Sequence, residues 1–362
     1  MSTDPILGQG YVTHRIDLGA DDEGPLVATL IHRDGGDGPG SMARPADSAD
    51  SPEKGAGGRA DPPPLLLMHG WSDYVLDRDL MEHLGRRGHD VWGLDLRKHG
   101  RSLLPGQTAT AIDHLNRYDA EIDAALRIIG RERPPVLLAH STGGLTAALW
   151  AQRHPRTVRG LALNSPWLEM HLGSTTRTLA QAPVRLLAEH LRRRPIFPTG
   201  KDHHARASHR DFGGAYDYDL ALKPPGGHPF PADTFHAVLD GQRRLAAAGP
   251  LAFPVLVLHA ERTLIRARFT EEMRRADTVL DVRALAAAAR ALGPRVRVEA
   301  VRGARHDVFL SDADARHRAI DLLDDWLETS FGGTPTMRAS DHAEDLGDLP
   351  SDGCGEDESD DR

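Results

Sequence analysis

Apolar residues along this chain fall into two recurring patterns. Short runs that are apolar at nearly every position occur at 64–70 (PLLLMHG), 90–96 (DVWGLDL), 135–141 (PVLLAHS), 158–165 (VRGLALNS), 254–260 (PVLVLHA) and 296–303 (VRVEAVRG). Runs of this length without alternation predict strands covered on both faces, as parallel strands are. Between them, apolar positions recur at helical spacing. Ile122, Ala125, Leu126 and Ile129 do so within 118–129, as do Ile320, Leu323 and Trp326 within 319–327, and 145–152 behaves similarly. Strand and helix in alternation predict an α/β fold with a mostly parallel central sheet flanked by helices. Two earlier runs, 11–18 and 26–32, alternate or are β-branched and predict N-terminal strands.

The same patterns divide the chain. Residues 1–32 hold the N-terminal strands of the core, and 33–62, rich in Gly, Asp, Pro and Ser, read as a flexible linker. Residues 63–167 and 251–331 are the two halves of the core. Between them, 168–250 break the alternation with helical patterns at 175–194 and 232–248. The run joining these holds His203, His204 and the turn signal PPGG at 224–227. An insertion of this length between core strands predicts a helical cap or lid. Residues 332–362 are acidic with almost no large apolar group, which predicts a disordered tail.

Composition narrows the function. Hydrophobic residues make up 40% of 362, enough for a sizeable core, and the net charge of −9 comes largely from the tail. A near-neutral body excludes strong steering toward nucleic acid or an anionic membrane. The single cysteine, Cys354, permits neither an internal disulfide nor a cysteine zinc cluster. No signal-peptide pattern and no span-length apolar stretch occur, so a cytoplasmic protein without stable membrane insertion is expected. No G-x-G-x-x-G follows the first core strand, and no cofactor or metal is expected. His203 and His204 are adjacent, not at ligand spacing, and read as solvated loop residues. The arginines 192–194 read as the solvent face of a lid helix.

The candidate chemistry starts at PVLLAHSTGG, 135–144. An apolar strand runs directly into Ser141 and glycines follow before a helix. This is the pattern of a nucleophile elbow, a sharp strand-to-helix turn with a strained serine. Ala139 stands where G-x-S-x-G has its first glycine, and Gly143 occupies the second position. MHGWSD at 68–73 ends the first core strand. Its turn can aim the Trp71 N–H at the point served by the Thr142 N–H, giving an oxyanion hole of Trp71 and Thr142. His69 braces that turn. A base must follow late in the chain, and VRGARHDVFLS at 301–311 presents His306 after the last core strand. His99, His140, His154 and His259 read as turn, packing or surface residues.

With these residues in view, the chain resembles the monoacylglycerol lipase and lysophospholipase branch of the α/β-hydrolases, also called serine aminopeptidase-like hydrolases. The matching segments are HGWSD at 69–73, LDLRKHGRS at 94–102, AHSTGG at 139–144 and GARHDVFLS at 303–311. LDLRKHGRS is similar to the family's D-x-R-G-x-G-x-S loop, with Lys98 in place of the first glycine. The resemblance implies the α/β-hydrolase fold with a helical cap insertion and a Ser–acid–His triad. Its acid stays open at this point. Glu261 stands at the ordinary place after a strand, whereas ADTVLDV at 276–282 resembles the family's acid loop and implies Asp277, with 262–275 as an insertion and a helix following. Asp281 is the third alternative. The resemblance implies a serine hydrolase acting on acyl esters, monoacylglycerol- or lysophospholipid-like or smaller. An amidase or aminopeptidase with the same triad is the alternative, its substrate amine held by a cap acid such as Asp211, Asp217 or Asp219. A non-catalytic binding protein of the same fold is the remaining one. Acyl length, head group and oligomeric state are not encoded in these motifs.

Overall fold

The computed structural model describes residues 2–33, 61–169, 188, 190–197 and 201–332. The expected tail beyond 332 lies outside the described residues, as do nearly all of the expected linker and most of the helix expected at 175–194.

Among the described residues nine strands, numbered in chain order, form one sheet in the order β1-β2-β3-β5-β4-β6-β7-β10-β11. The six strands from β5 to β11 are mutually parallel: β4 (Leu65–Met68), β5 (Val91–Asp95), β6 (Val136–His140), β7 (Gly160–Asn164), β10 (Val255–Ala260) and β11 (Val296–Val301). β1 (Ser2–Asp4), β2 (Gly8–Asp21) and β3 (Gly24–Arg33) extend the sheet antiparallel at one edge. Each expected strand is present, and β1 is an addition to them.

The apolar runs have a simple cause. Successive side chains of a strand point to opposite faces, and here both faces are covered. Leu65 and Leu67 of β4 pack with α1 (Arg78–Arg86) and α7 (Ala313–Phe331) through Leu80, Met81, Leu84, Trp326 and Leu327. Leu66 and Met68 pack on the other face with α2 (Asp119–Ile129) and α3 (Ser141–Arg153) through Ile122, Ala125, Leu145 and Leu149. α6 (Val282–Arg290) covers the same second face through Leu285 and Ala289.

Between β7 and β10 the described residues form a two-stranded ribbon of β8 (Pro195–Phe197) and β9 (Phe230–Pro231), α4 (His203–Ser208) and α5 (Ala232–Ala247). α5, which the sequence groups with the cap, packs on α3 within the core: a Cβ on Gly241 would lie 2.7 Å from Leu115 and 3.1 Å from Leu149. Two expectations are corrected here. Residues 192–194 form a turn, since Arg193 has φ +58° and Pro195 follows, and both oppose helix. Arg193 pairs with Asp21, Asp22 and Glu23 of the β2–β3 turn rather than facing open solvent. His203 and His204 lie in α4, His203 being buried and His204 half-buried, so neither is a solvated loop residue.

Candidate active site

Ser141 is the first residue of α3, directly after β6. Its φ of +52° is left-handed, a conformation that costs an L-residue about 1–3 kcal/mol and persists only where the surroundings over-determine it. Crowding at this turn explains the small residues. A Cβ on Gly143 would lie 2.1 Å from the His69 carbonyl oxygen, and one on Gly144 would lie 2.8 Å from Pro166 Cβ. A Cβ on Gly70 would lie 2.9 Å from Ser141 Cβ, so the HGW turn abuts the elbow. The N-terminus of α3 adds positive potential beside the hydroxyl.

His306 stands in the loop after β11. Its Nε2 lies 3.0 Å from Ser141 Oγ, and its Nδ1 lies 2.9 Å from Asp277 Oδ2. A carboxylate only accepts, so Nδ1 carries the proton and Nε2 is free to accept from the hydroxyl. The loop is held on both sides of the histidine. Asp307 Oδ1 accepts from Asn164 Nδ2 at 2.7 Å and Phe309 N at 3.1 Å, and Val308 N donates to Asn164 Oδ1 at 3.1 Å. Arg305 N donates to Ser311 Oγ at 2.9 Å.

Asp277 is 0% exposed, and its second oxygen accepts from Val279 N at 2.7 Å and Leu280 N at 2.8 Å. Burial pushes its carboxyl upward, but His306 and these two amides more than offset it and hold the group below the usual carboxylate range. Its backbone is fixed to residues 262–264, with Asp277 N donating to Arg262 O and Leu264 N to Asp277 O. Of the other two carboxylates, Glu261 is exposed at the end of β10. Asp281 caps α6, accepting from Arg283 N at 2.9 Å and Ala284 N at 3.3 Å.

Trp71 and Thr142 line one small cavity beside the elbow, together with Gly70, Gly143 and Leu96. The Trp71 indole donates to Thr110 Oγ1 at 2.9 Å, and its ring lies 4.6 Å from that of Phe230. His69 is a brace: Nε2 accepts from Leu96 N at 3.0 Å while Nδ1 donates to Gly70 O at 2.8 Å. His99 is buried, donates to Arg97 O at 2.8 Å, and is pulled down to about 3 by burial and by His69 beside it.

The LDLRKHGRS segment is structural. Asp95, fully buried, accepts from Val75 N at 2.7 Å and Arg101 Nη1 at 2.8 Å, tying the loop to the turn after β4. Arg97 pairs with buried Glu121 at 2.7 Å. Lys98 has φ +60°, which is why glycine suits this position. Its ammonium reaches Asp21 at 2.7 Å and Glu23.

Sequence reasoning missed a buried polar cluster behind the elbow. Asp73 Oδ1 accepts from Lys223 Nζ at 2.8 Å, and Asp73 Oδ2 is 3.4 Å from His140 Nδ1. The His140 ring centre is 5.0 Å from that of His306, and Asp307 completes the group. Burial raises the Asp73 carboxyl, yet Lys223 and His140 outweigh it and hold the group far below the usual range. HGWSD and AHSTGG contain Asp73 and His140, but nothing local in the sequence signals Lys223, which lies 150 residues further on.

The serine aminopeptidase S33 family model matches residues 63–313. Lysophospholipase L2 of Escherichia coli is 28% identical over 212 residues, covering 52% of this chain and 59% of the relative. Phospholipase YtpA of Bacillus subtilis is 31% identical over 121 residues, covering 30% of this chain and 42% of the relative. The chain thus spans about half the length of the curated relatives it matches, 59% of one and 42% of the other. Among solved structures, the Paleococcus ferrophilus monoacylglycerol lipase superposes with a TM-score of 0.57 at 19% identity, over 75% of this chain and 98% of that one. A soluble variant of the Saccharomyces cerevisiae monoglyceride lipase, in complex with a substrate analog, gives 0.57 at 16% identity, over 88% and 97%. At these identities the structural likeness speaks for the fold. With the family model covering all six parallel strands and every element of the elbow, this chain belongs to the serine aminopeptidase S33 family of α/β-hydrolases.

Proposed function

We propose that this protein hydrolyses carboxylic acyl esters through an acyl-enzyme on Ser141. The observation that carries the proposal is the unbroken hydrogen-bonded line from Ser141 Oγ through the His306 ring to buried Asp277, at 3.0 and 2.9 Å. In the forward step His306 Nε2 takes the hydroxyl proton as Oγ bonds to the acyl carbon. Asp277 remains ionised, orients the ring and stabilises the imidazolium. The carbonyl oxygen becomes an oxyanion, held by the backbone N–H groups of Trp71 and Thr142. Collapse of the tetrahedral adduct breaks the ester C–O bond, and the imidazolium gives its proton to the departing alkoxide. Water, deprotonated by His306, then attacks the acyl-enzyme, and the acid and Ser141 are released.

The relatives' names point to lipid esters, and monoacylglycerols or lysophospholipids are the proposed substrate class. The segment between β7 and β10 is proposed to act as the cap over them. An aminopeptidase would need an acid free to bind the substrate amine. Of the cap acids, Asp217 is exposed and paired with Arg210 at 2.8 Å, and the Asp219 carboxylate accepts from Ala221 N at 2.7 Å. Asp211 is exposed, 3.8 Å from His209, and stays open as the amine-binding acid of the alternative aminopeptidase reading.

The test is labelling with a fluorophosphonate together with turnover of a p-nitrophenyl ester series. Wild type is expected to label at Ser141 and turn over, and Ser141→Ala to do neither. Wild type that stays unlabelled and inert removes the proposal.

A further inference from the structure

The turn after β4 is covered residue by residue by a segment from the far side of the chain, in reverse order. Phe230 lies on the Trp71 ring. Gly227, at φ +74°, packs so closely on that ring that a Cβ would lie 2.8 Å from it. His228 N donates to Ser72 Oγ at 2.8 Å, and Ser72 Oγ also lies 2.8 Å from His228 Nδ1. Lys223 Nζ donates to Asp73 Oδ1 at 2.8 Å. Asp219 N donates to Tyr74 Oη at 2.8 Å. Three consecutive turn residues are therefore each bonded to the 219–228 stretch.

The turn needs this support. Ser72 has φ +53°, so the residue directly after Trp71 is strained, and it is buried. Lys223 and Asp73 are 7% and 5% exposed, and an ion pair this dry is strong only while both partners stay in place. Asp73 also faces His140, the residue before the nucleophile. One carboxylate thus joins the covering segment, the turn and the elbow.

We infer that Lys223, through Asp73, and His228, through Ser72, are positioning residues that latch the Trp71 N–H against the elbow and so set the strength of the oxyanion hole. The catalytic consequence rests on the esterase proposal above. The latch itself does not. With Lys223 removed, Asp73 keeps a buried charge without its ammonium and turns toward water, carrying the Trp71–Tyr74 backbone with it. The loss falls on the transition state, because the oxyanion exists only there.

The experiment compares full-length wild type with Lys223→Met, Lys223→Arg and Ser72→Ala. Sites are titrated with a fluorophosphonate and turnover is measured on p-nitrophenyl butyrate. A trifluoromethyl ketone, whose hemiketal oxyanion occupies the hole, serves as inhibitor. Amide hydrogen exchange is followed over residues 69–76. Lys223→Met is expected to lower kcat per titrated site at least about tenfold and weaken the ketone by a similar factor, with KM changed less than about threefold. Exchange over 69–76 is expected to rise at least about tenfold, and Lys223→Arg to recover most of each change. A merely structural lysine would lower the titrated fraction and Tm without moving kcat per site. Folded Lys223→Met with unchanged exchange, and with kcat and ketone affinity within about twofold of wild type, overturns the latch. If Lys223→Met yields no folded protein, Ser72→Ala decides. A rise in exchange and a fall in kcat of at least about threefold each support the latch, and no change in either overturns it. If wild type neither labels nor turns over, the esterase proposal falls, and exchange alone judges the latch.

Discussion

Asp277→Asn tests the proposed triad through hydrogen-bond geometry rather than charge alone. In the folded chain Asp277 Oδ1 accepts two backbone N–H groups, from Val279 and Leu280, while Oδ2 faces His306 Nδ1. The asparagine amide must keep its oxygen on the two N–H donors. Flipping it would strand both at about 1–3 kcal/mol each, with the amide hydrogens pressed against them. Its NH2 group therefore meets Nδ1 and donates to it. That forces the imidazole proton onto Nε2, the atom facing Ser141 Oγ at 3.0 Å. A protonated Nε2 cannot take the hydroxyl proton. The corresponding change in Ser-His-Asp sites costs about 10⁴ in kcat, or about 5 kcal/mol of barrier. The shape of the residue is preserved, so Tm is expected to move only a few degrees. The assay is kcat per folded molecule on p-nitrophenyl butyrate at neutral pH, with Glu261→Gln and Asp281→Asn as controls expected within about twofold of wild type. Folded Asp277→Asn that retains more than about a tenth of wild-type kcat refutes the reasoning, as does a comparable loss in Glu261→Gln.

Two further predictions follow from the geometry around the elbow. Gly143→Ala drives a Cβ to within 2.1 Å of the His69 carbonyl oxygen, a backbone atom that cannot rotate away. It is expected to cost at least about 3 kcal/mol in urea unfolding, and any folded fraction should turn over at least about tenfold more slowly; stability within 1 kcal/mol of wild type would contradict the contact. His99 is held neutral with its pKa pulled down to about 3, below its unfolded value. Below the unfolded pKa the unfolded chain gains a proton that the native state refuses, so stability falls as pH drops from about 6.5 toward 3. His99→Asn, whose amide can still donate to Arg97 O, is expected to reduce the loss between pH 7 and pH 5 by about 2 kcal/mol in paired urea titrations; an unchanged difference would show that His99 is not its source.

Much of this protein is legible in one dimension because its strongest signals are local. A parallel strand with both faces covered must be apolar at every position, so β4, β6 and β10 announce themselves as LLLM, VLLAH and VLVLHA. An elbow needs a strand, a serine and small residues within one turn, so Ser141 and Gly143 stand out as a unit. His306 is found because a base in this fold follows the last core strand. Mixed patterns are harder to read. α1 has only Leu80, Met81 and Leu84 on its buried stripe, among arginines and acids, and its nine residues give the periodicity little room. The helical spacing that runs to residue 194 carries no sign of the left-handed turn at Arg193.

What the sequence determined by itself was the order of elements and the residues whose own neighbourhood demands them: the α/β alternation, the elbow serine and the late histidine. What only the tertiary structure decided were pairings between distant segments. Three carboxylates lie within 21 residues of one another, and the backbone pairing of Asp277 with residues 262–264 after β10 brings the Asp277 oxygen to the His306 ring, while Glu261 stays exposed and Asp281 caps a helix. Lys223 against Asp73 is of the same kind, 150 residues apart in sequence and 2.8 Å apart in space. The physical reason is that hydrophobic periodicity and turn chemistry act over a few residues. A buried charge finds its partner only when the chain closes around it.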